Sequence, residues 1–420
     1  MNLDADMSAA GRFEDLTAVW DRCHPHLRPL TSHLPLAAAD CVLLPDGERG
    51  IAVLARVRFG EDEWSEAPQR IVFAPGRNRF FRQVDHGLGA GAARPVTAID
   101  ARLWFASPTI LNLEPTTRCN FSCWYCIGRH MRQADIRFED FVRALDHFPG
   151  LEVLGLVGEG EPILHKQFFA MADLAAARGI KVMTVSNGST FSTSVVRQLC
   201  ESGIVYVGVS IDATDPQQFA ASRLDGNLPK VWQGIERLRK FRDDNGYRYP
   251  KIGLKGTLFM NTENELLAIA RAAKAHGVEI FESFQALNPK ESYVAIYPQE
   301  HLAELPLVDR LRKRIAEDSA EAQRLLEPVE RFCAEEGIKM AMPAHGNALR
   351  RNCDEQWIYA LLSGDIAPCC QVKEPISPRW NLFHRPLAAI MSDPEYENVR
   401  FNLWNGLFPS YCAGCWKTRA

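Results

Sequence analysis

The stretch TILNLEPTTRCNFSCWYC, residues 109–126, joins a short apolar run to three cysteines that lie within eight positions. The apolar run predicts a buried strand, because its branched residues are followed at once by a proline that ends the segment. Cys119, Cys123 and Cys126 come directly after it. Clustered thiols in a reducing compartment indicate metal binding or catalysis rather than disulfides. The stretch therefore predicts a chemically active loop at the end of a strand.

Six strand-like runs alternate with amphipathic stretches from about residue 108 onward. The strand candidates are TILNLEP, LEVLGLVG, IKVMTVS, IVYVGVSI, KIGLKGTLF and VEIFESFQ. The helix candidates between them are 138–148, 164–178, 191–202, 229–243 and 262–276. This alternation predicts an α/β fold with right-handed crossovers, curled into a partial (β/α)6 barrel of the TIM type. Functional groups should then collect in the loops at the carboxyl edge of the sheet.

The sequence on either side of the barrel indicates three further structural units. Residues 1–95 are expected to form a small α+β domain, with a helix in FEDLTAVWDRCHPHL and strands in CVLLP, GIAVLARVRF and RIVFAP. We place the barrel at 105–298, a charged helical connector at 299–345 and a cysteine-bearing domain at 346–420. The last domain contains a hairpin signal, QWIYALLSGDIAPCC.

Composition argues against two classes of partner. The chain has 48 Lys and Arg against 52 Asp and Glu, and this balance disfavours a broad nucleic-acid surface. No apolar run approaches the roughly 18 residues of a membrane span. The amino terminus lacks the apolar core of a signal peptide. We therefore expect a cytoplasmic protein that binds neither nucleic acid nor membrane.

The cysteine triplet leaves two kinds of metal site open. A structural zinc site needs four ligands, and His130 is close enough in sequence to supply the fourth. A cubane iron–sulfur cluster also binds thiolates, and three of them leave one iron without a protein ligand. An open coordination position is what catalytic metal sites use.

The pattern CxxxCxxC with an aromatic residue before its last cysteine, Cys119-Cys123-Tyr125-Cys126, resembles the signature of radical S-adenosylmethionine enzymes. In that family a site-open 4Fe-4S cluster binds the methionine moiety of S-adenosylmethionine. A reducing electron splits the sulfonium, and the resulting 5′-deoxyadenosyl radical abstracts hydrogen from the substrate. The resemblance implies the same cluster and cofactor, and a reductant such as flavodoxin or ferredoxin.

Four further segments resemble positions at which the family contacts S-adenosylmethionine. GEGEP (158–162) resembles the segment near the amino group, with glycines that allow close approach and glutamates that supply acceptors. SNG (186–188) and SIDA (210–213) resemble the ribose-contacting and carboxylate-contacting positions, and Arg223 is placed like an arginine directed to the carboxylate. The contact residues so implied are Tyr125, Gly158, Glu159, Gly160, Glu161, Ser186, Asn187, Ser210, Asp212 and Arg223.

The C-terminal cysteines resemble the auxiliary-cluster modules of the same enzymes, known as SPASM and twitch domains. Cys353, Cys369, Cys412 and Cys415 are spaced C-x15-C-x42-C-x2-C. The longer SPASM pattern is incomplete, so a twitch type with one auxiliary 4Fe-4S cluster is the better match, with four-thiolate zinc as the alternative. Cys370 is left over: it could replace Cys369 as a ligand, be an inert core thiol, or donate hydrogen in the active site.

Two reactions are compatible with this resemblance. In the first, hydrogen leaves a carbinol carbon of a carbohydrate-like small molecule, a sugar or aminocyclitol, as in antibiotic biosynthesis. Electron transfer to the auxiliary cluster would give dehydrogenation, and hydrogen return from Cys370 or Cys333 would give epimerisation. In the second, a ribosomally made peptide is modified and residues 1–87 bind its leader. We expect the first, since the N-terminal unit is richer in strands than a winged helix. Substrate hydroxyls would contact the following residues if they point inward: Lys255, Glu282, Gln285 and Asn288.

Overall fold

Two β-sheets organise the chain. The computed structural model describes residues 12–29, 41–66, 69–84, 94–101, 108–258, 265–286, 297–302, 320–340, 357–367, 372–407 and 409–412. No helix among these residues has the length and apolar character of a membrane span.

The first sheet belongs to the amino-terminal region. Its strands are β1 (Arg12–Asp15), β2 (Cys41–Leu43), β3 (Arg49–Phe59), β4 (Glu63–Trp64), β5 (Gln69–Ala74), β6 (Arg79–Val84) and β7 (Val96–Asp100), with helix α1 (Thr17–Cys23) after β1. All pairings in it are antiparallel, and β3 pairs with β2, β4, β5 and β7.

Two details of this sheet differ from the sequence-based expectation. Phe13–Asp15 were expected to begin a helix, but they pair with β6 as an edge strand, because pairing across the sheet overrides local preference. β7 pairs with β3, so the sheet extends past residue 95, where we had placed the end of the domain.

The second sheet contains the six predicted parallel strands in chain order. They are β8 (Ile110–Leu113), β9 (Val153–Leu156), β10 (Lys181–Ser186), β11 (Ile204–Ser210), β12 (Lys251–Leu258) and β13 (Ile280–Ala286). Six helices lie between them, two of these between β11 and β12: α2 (Phe138–Asp146), α3 (Phe168–Ala177), α4 (Thr193–Glu201), α5 (Pro216–Ser222), α6 (Leu228–Asp244) and α7 (Leu266–Ala275). The parallel α/β arrangement is confirmed, and only the short α5 was not predicted.

The two faces of this sheet have different chemistry. Val207, Leu254 and Phe281 are fully buried in the core that the helices cover. Because side chains alternate along a strand, their neighbours lie on the opposite, inner face. That inner face carries Lys255 and Glu282, whose side chains remain partly accessible. The sheet therefore has an apolar outer layer and a polar interior.

The C-terminal region extends the second sheet at both edges. β14 (Lys339–Met340) pairs parallel with β13, although we had placed these residues in a helical connector. β15 (Trp357–Ala360) pairs antiparallel with β16 (Ile366–Ala367), which confirms the predicted hairpin. β15 also pairs parallel with β8. The hairpin therefore lies beside the strand that carries the cysteine loop.

Four helices complete the described structure: α8 (Gln299–Leu302), α9 (Ala320–Glu335), α10 (Leu387–Met391) and α11 (Pro394–Trp404). The last of them packs against the amino-terminal sheet. The buried ring of Trp20 stacks on Phe80 at 4.1 Å and contacts Phe401 of α11 with centroids 5.3 Å apart. The Arg28 amide donates to Asn398 Oδ1 at 2.9 Å. The two ends of the chain thus share one apolar cluster.

Replacing Phe401 with alanine should lower the free energy of unfolding by about 3–5 kcal/mol, because it opens a cavity beside Trp20. It should also make the amino-terminal sheet more sensitive to protease. Chemical denaturation and limited proteolysis measure these effects. Leu43→Ala is the control, since this side chain is exposed and its loss should change stability by less than about 0.5 kcal/mol. Equal stability of the two variants would contradict the shared cluster.

Candidate active site

The three clustered cysteines lie in the loop after β8, at the carboxyl edge of the sheet. The base of this loop is closed by side-chain contacts between residues 116–118 and 132–135. Thr117 Oγ1 donates to Arg132 O at 2.7 Å, and Thr116 Oγ1 donates to Asp135 Oδ1 at 2.6 Å. Arg118 forms a two-pronged pair with the same aspartate. The ends of the loop are therefore fixed, which restricts where its thiols can point.

The three thiols have different surroundings. Cys119 is exposed, and its Sγ accepts a hydrogen bond from the Phe121 amide at 3.4 Å. Burial raises the pKa of Cys123 to about 11, and burial raises the pKa of Cys126 well above its ordinary value. The thiols of the metal-free protein are therefore protonated at neutral pH. Metal binding must displace those protons, as it does at thiolate sites generally.

The donor set fits a cluster that has one open iron. Three thiols share one loop, and N–H groups of Phe121 and Asn187 approach Cys119 Sγ, an arrangement that stabilises a thiolate in iron–sulfur proteins. His130, the fourth ligand of the zinc alternative, is exposed on a 3-10 helix, Ile127–His130. Within the described ranges, no group of three or more His, Cys, Asp and Glu side chains is arranged to hold a single metal ion.

The GEGEP segment after β9 packs directly against the cysteine loop. A Cβ atom on Gly160 would lie 2.4 Å from Thr116 O and 2.6 Å from Arg118 O. The Glu161 amide donates to Arg118 O at 2.8 Å. A Cβ atom on Gly158 would similarly lie 2.8 Å from the Glu114 side chain. We had expected these glycines to allow close approach to a cofactor. In the structure they allow the segment after β9 to approach the segment after β8.

The two glutamates of this segment accept hydrogen bonds from protein groups. Glu161 is buried; it accepts from Ser186 Oγ at 2.8 Å and from the Asn187 amide at 2.6 Å. Burial outweighs these hydrogen bonds and raises the pKa of Glu161 to about 7. Burial also opposes ionisation of Glu159, but Lys373, 2.6 Å away, together with hydrogen bonds from Cys126 and the Gly128 amide, holds the pKa of Glu159 below the ordinary value. Their predicted contact with S-adenosylmethionine stays a prediction.

Asp212, at the end of β11, is a fully buried junction. It accepts from Tyr125 OH at 2.9 Å, from Arg223 Nη2 at 2.9 Å and from the Thr257 amide at 2.8 Å. Arg223 Nε also lies 2.7 Å from Asp212 Oδ2, as an ion-pair contact that lacks hydrogen-bond alignment. The junction ties the cysteine loop to the ends of β11 and β12 and to α5. The arginine that we expected to face a cofactor carboxylate is paired here with a protein carboxylate.

The remaining predicted residues lie on strand ends or on the inner face. Asn187 Nδ2 donates to Asn120 Oδ1 at 2.9 Å and lies 3.9 Å from Cys119 Sγ. Ser210 ends β11 opposite Lys255 in the strand pairing. Lys255 Nζ lies 3.6 Å from Glu282 Oε1. Both side chains therefore lie on the inner face, an orientation that the sequence left open. Gln285 is described only as a position on β13, and Asn288 lies outside the described residues.

The C-terminal cysteines are described only in part. Cys412 is buried in a 3-10 helix, Ser410–Cys412, at the edge of the main core. The other predicted auxiliary residues, Cys353, Cys369, Cys370 and Cys415, lie outside the described residues. The auxiliary cluster and the hydrogen-donor role of Cys370 therefore stay predictions. Cys333 is buried in the apolar core on α9, the ordinary environment of a lone cysteine.

Sequence reasoning missed three residues at this edge. Glu114, Tyr359 and Lys373 form a buried polar cluster beside Glu159. No motif marks them, because they meet only when β15 pairs with β8. An isolated lysine shortly after two adjacent cysteines was the one available signal.

Comparison with known proteins finds a match to one family model and several similar proteins. Residues 113–265 match the model of the Radical SAM superfamily. A tungsten-containing aldehyde ferredoxin oxidoreductase cofactor-modifying protein of Pyrococcus furiosus is 25% identical over 73% of this chain and 86% of its own. A GTP 3′,8-cyclase of Paracoccus denitrificans is 33% identical, over 31% of this chain and 41% of its own.

Solved structures show the same fold. Streptococcus suis SuiB bound to S-adenosylmethionine superposes with a TM-score of 0.54 at 14% identity. The match covers 70% of this chain and 68% of that one. At this identity the likeness concerns the fold alone.

Asp212→Asn should destabilise the metal-free protein by about 3–5 kcal/mol, because it leaves Arg223 charged and buried without its partner. The double variant Asp212→Asn/Arg223→Met should recover part of that loss. Denaturant unfolding under reducing conditions gives the values. Asp173→Asn, an exposed carboxylate on α3, is the matched control and should change stability by less than about 0.5 kcal/mol. A loss no larger than the control's would show that the junction is not stabilising.

Proposed function

We propose that this chain, whose residues 113–265 match the Radical SAM superfamily model, belongs to that superfamily and cleaves S-adenosylmethionine reductively to start a radical reaction. Cys119, Cys123 and Cys126 would hold a 4Fe-4S cluster that has one open iron. When bound, that cluster supplies the one-electron chemistry that splits the sulfonium. The observation that carries the proposal is the three-thiol loop, fixed at the carboxyl end of β8 beside the strand ends that bear the other predicted contacts.

The protein's own residues would shape the space next to this loop. The Asp212 junction orients Tyr125, and Glu161 connects the loops after β9 and β10. Because these charged groups are already paired or hydrogen-bonded within the protein, they can form rigid walls at little further desolvation cost. Asn187 would remain beside Cys119 and keep an amide N–H directed at the sulfur.

A one-electron carrier protein such as flavodoxin or ferredoxin is the reductant we propose. Arg129, His130 and Arg132 are exposed, three to six residues after Cys126. In the described part of the chain, none of the three forms an ion pair with a carboxylate. This positive surface suits an acidic partner and would guide its approach toward the cluster loop.

A second, auxiliary 4Fe-4S cluster is proposed at Cys353, Cys369, Cys412 and Cys415, with Cys370 as the alternative to Cys369. The spacing of the four thiols supports it, and so does the position of Cys412 at the edge of the core. Four protein thiolates would saturate a cubane, so this cluster would carry electrons rather than bind S-adenosylmethionine.

Anaerobic reconstitution tests both clusters. Wild-type protein should bind about eight iron atoms per chain, as two cubanes require, and release 5′-deoxyadenosine when reduced by flavodoxin or a chemical reductant. Cys123→Ala should lose about half of the iron and all cleavage, whereas Cys412→Ala should lose about half of the iron and keep cleavage. Cys200→Ala, a lone buried thiol on α4, is the control that should keep both. Zinc in place of iron, or no cleavage by reduced wild-type protein, would refute the proposal.

We further propose that the substrate is a small polar molecule with a carbinol carbon, a sugar or aminocyclitol, which is dehydrogenated or epimerised. Support comes from the polar inner face of β11–β13. Tyr206 OH donates to Glu282, and Lys255 lies on the same face with its side chain 41% exposed. A carboxylate and an ammonium group that remain partly accessible can accept from and donate to neighbouring hydroxyl groups.

A second candidate is modification of an enzyme cofactor. It is favoured by the Pyrococcus furiosus relative, which is named as a cofactor-modifying protein and matches over 86% of its length. Leader-guided peptide modification has less support, because the amino-terminal region is a strand-rich sheet packed on α11 rather than a winged helix.

Product analysis distinguishes these substrates. A carbinol substrate should give 5′-deoxyadenosine together with an oxidised product, or a mass-neutral product that gains deuterium from solvent. Glu282→Gln should raise KM about 10- to 150-fold, since a hydrogen bond to a charged group contributes about 1.5–3 kcal/mol, and should leave substrate-free cleavage unchanged. Glu236→Gln, half-exposed on α6, is the control. A mass change on a peptide or cofactor offered in the same reaction would contradict the carbinol proposal.

A further inference from the structure

A buried ion-pair network lies where the C-terminal hairpin meets the cysteine loop. Lys373 Nζ is 2.6 Å from Glu159 Oε1 and 3.6 Å from Glu114 Oε1. It also donates to Tyr359 OH at 2.7 Å, and that hydroxyl donates to Glu114 Oε1 at 2.6 Å. Glu114 is fully buried, and the Lys373 side chain is 8% exposed. The network therefore links the ends of β8 and β9 to the region after the hairpin.

One member of the network touches a cluster cysteine. Glu159 Oε2 lies 3.4 Å from Cys126 Sγ, and in the metal-free protein the thiol donates to the carboxylate. A thiolate that binds iron has no proton to donate. The carboxylate and the sulfur would then be two negative groups in contact, and they would repel each other in a poorly solvated place.

Lys373 is the group that can offset this repulsion. In the described part of the chain, no other cation lies within ion-pair distance of Glu114 or Glu159. Without Lys373, the fully buried carboxylate of Glu114 and the largely buried one of Glu159 would lack a counter-charge, which is costly in a protein interior. Lys373 Nζ contacts both Glu159 Oε1 and Tyr359 OH. It therefore fixes the position of Glu159 as well as balancing its charge.

We propose that Lys373 is a positioning residue for the first cluster, an inference that rests on the proposed function. It holds Glu159 beside Cys126 and cancels its charge, and it thereby raises the reduction potential of the cluster. The physical basis is that the potential of an iron–sulfur cluster depends on nearby charge and on hydrogen bonds to its sulfurs. A region outside the parallel strands would in this way set how easily the cluster accepts its electron.

Redox titration of the reconstituted full-length protein, followed by electron paramagnetic resonance, tests the proposal. The signal that changes when S-adenosylmethionine is added identifies the first cluster. Lys373→Met should lower the ratio of reduced to oxidised first cluster about tenfold at a fixed potential. That change corresponds to a midpoint potential about 59 mV lower for a one-electron couple. Lys373→Arg should stay close to wild type. Lys373→Met/Glu159→Gln, which removes both charges, should return most of the shift.

The outcomes separate three conclusions. A shifted potential that the double variant restores supports the proposal. Lower iron content in Lys373→Met with an unshifted potential in the remaining cluster indicates a structural role and overturns it. Should Lys373→Met fail to fold, the double variant Lys373→Met/Glu159→Gln is compared with Glu159→Gln alone. Equal reduction potentials in these two variants overturn the proposal. Lys274→Met, a surface partner of Glu336, is the control. Wild-type protein without any 4Fe-4S signal refutes the proposed function instead.

Discussion

Parallel pairing of β8, β9, β10 and β11 is the constraint on which the rest of the site depends. In a parallel sheet every strand ends at the same edge, so four loops from distant parts of the sequence must meet there. The loops then pack closely enough that only glycine fits at residue 160. The cysteine loop is thus held from three sides by its neighbours, and its thiols are presented on a rigid frame.

Buried carboxylates connect these loops, and their partners decide their charge. Glu159 has Lys373 beside it and keeps a lowered pKa in spite of burial. Glu161 has only neutral donors, so burial dominates and its pKa rises to about 7. Asp212 is paired with Arg223 and shared by three segments. Such networks are favourable only when every member is satisfied, which accounts for the number of short contacts at this edge.

The C-terminal region takes part in the barrel sheet instead of standing beside it as a separate module. β15 extends the sheet next to β8, and Lys373 reaches the loop that follows β9. The same region holds the amino-terminal sheet through α11. The parallel sheet that carries the cysteine loop is therefore packed against segments from both sides of it in sequence, and a change in either can reach the loop through packed contacts.

The sequence by itself determined the six parallel strands, the position of the cysteine loop and the residues after each strand, because these depend on local periodicity and on short motifs. Tertiary structure alone decided that Phe13–Asp15 form a strand, that β15 pairs with β8, and that Lys373 lies beside Glu159. Each of these requires pairing between segments far apart in the chain, which no local pattern encodes. The resemblance to a known family also indicated Glu161 and Arg223 as site residues. Their partners were visible only in the folded chain, since a buried charge takes whichever opposite or donating group packing brings to it.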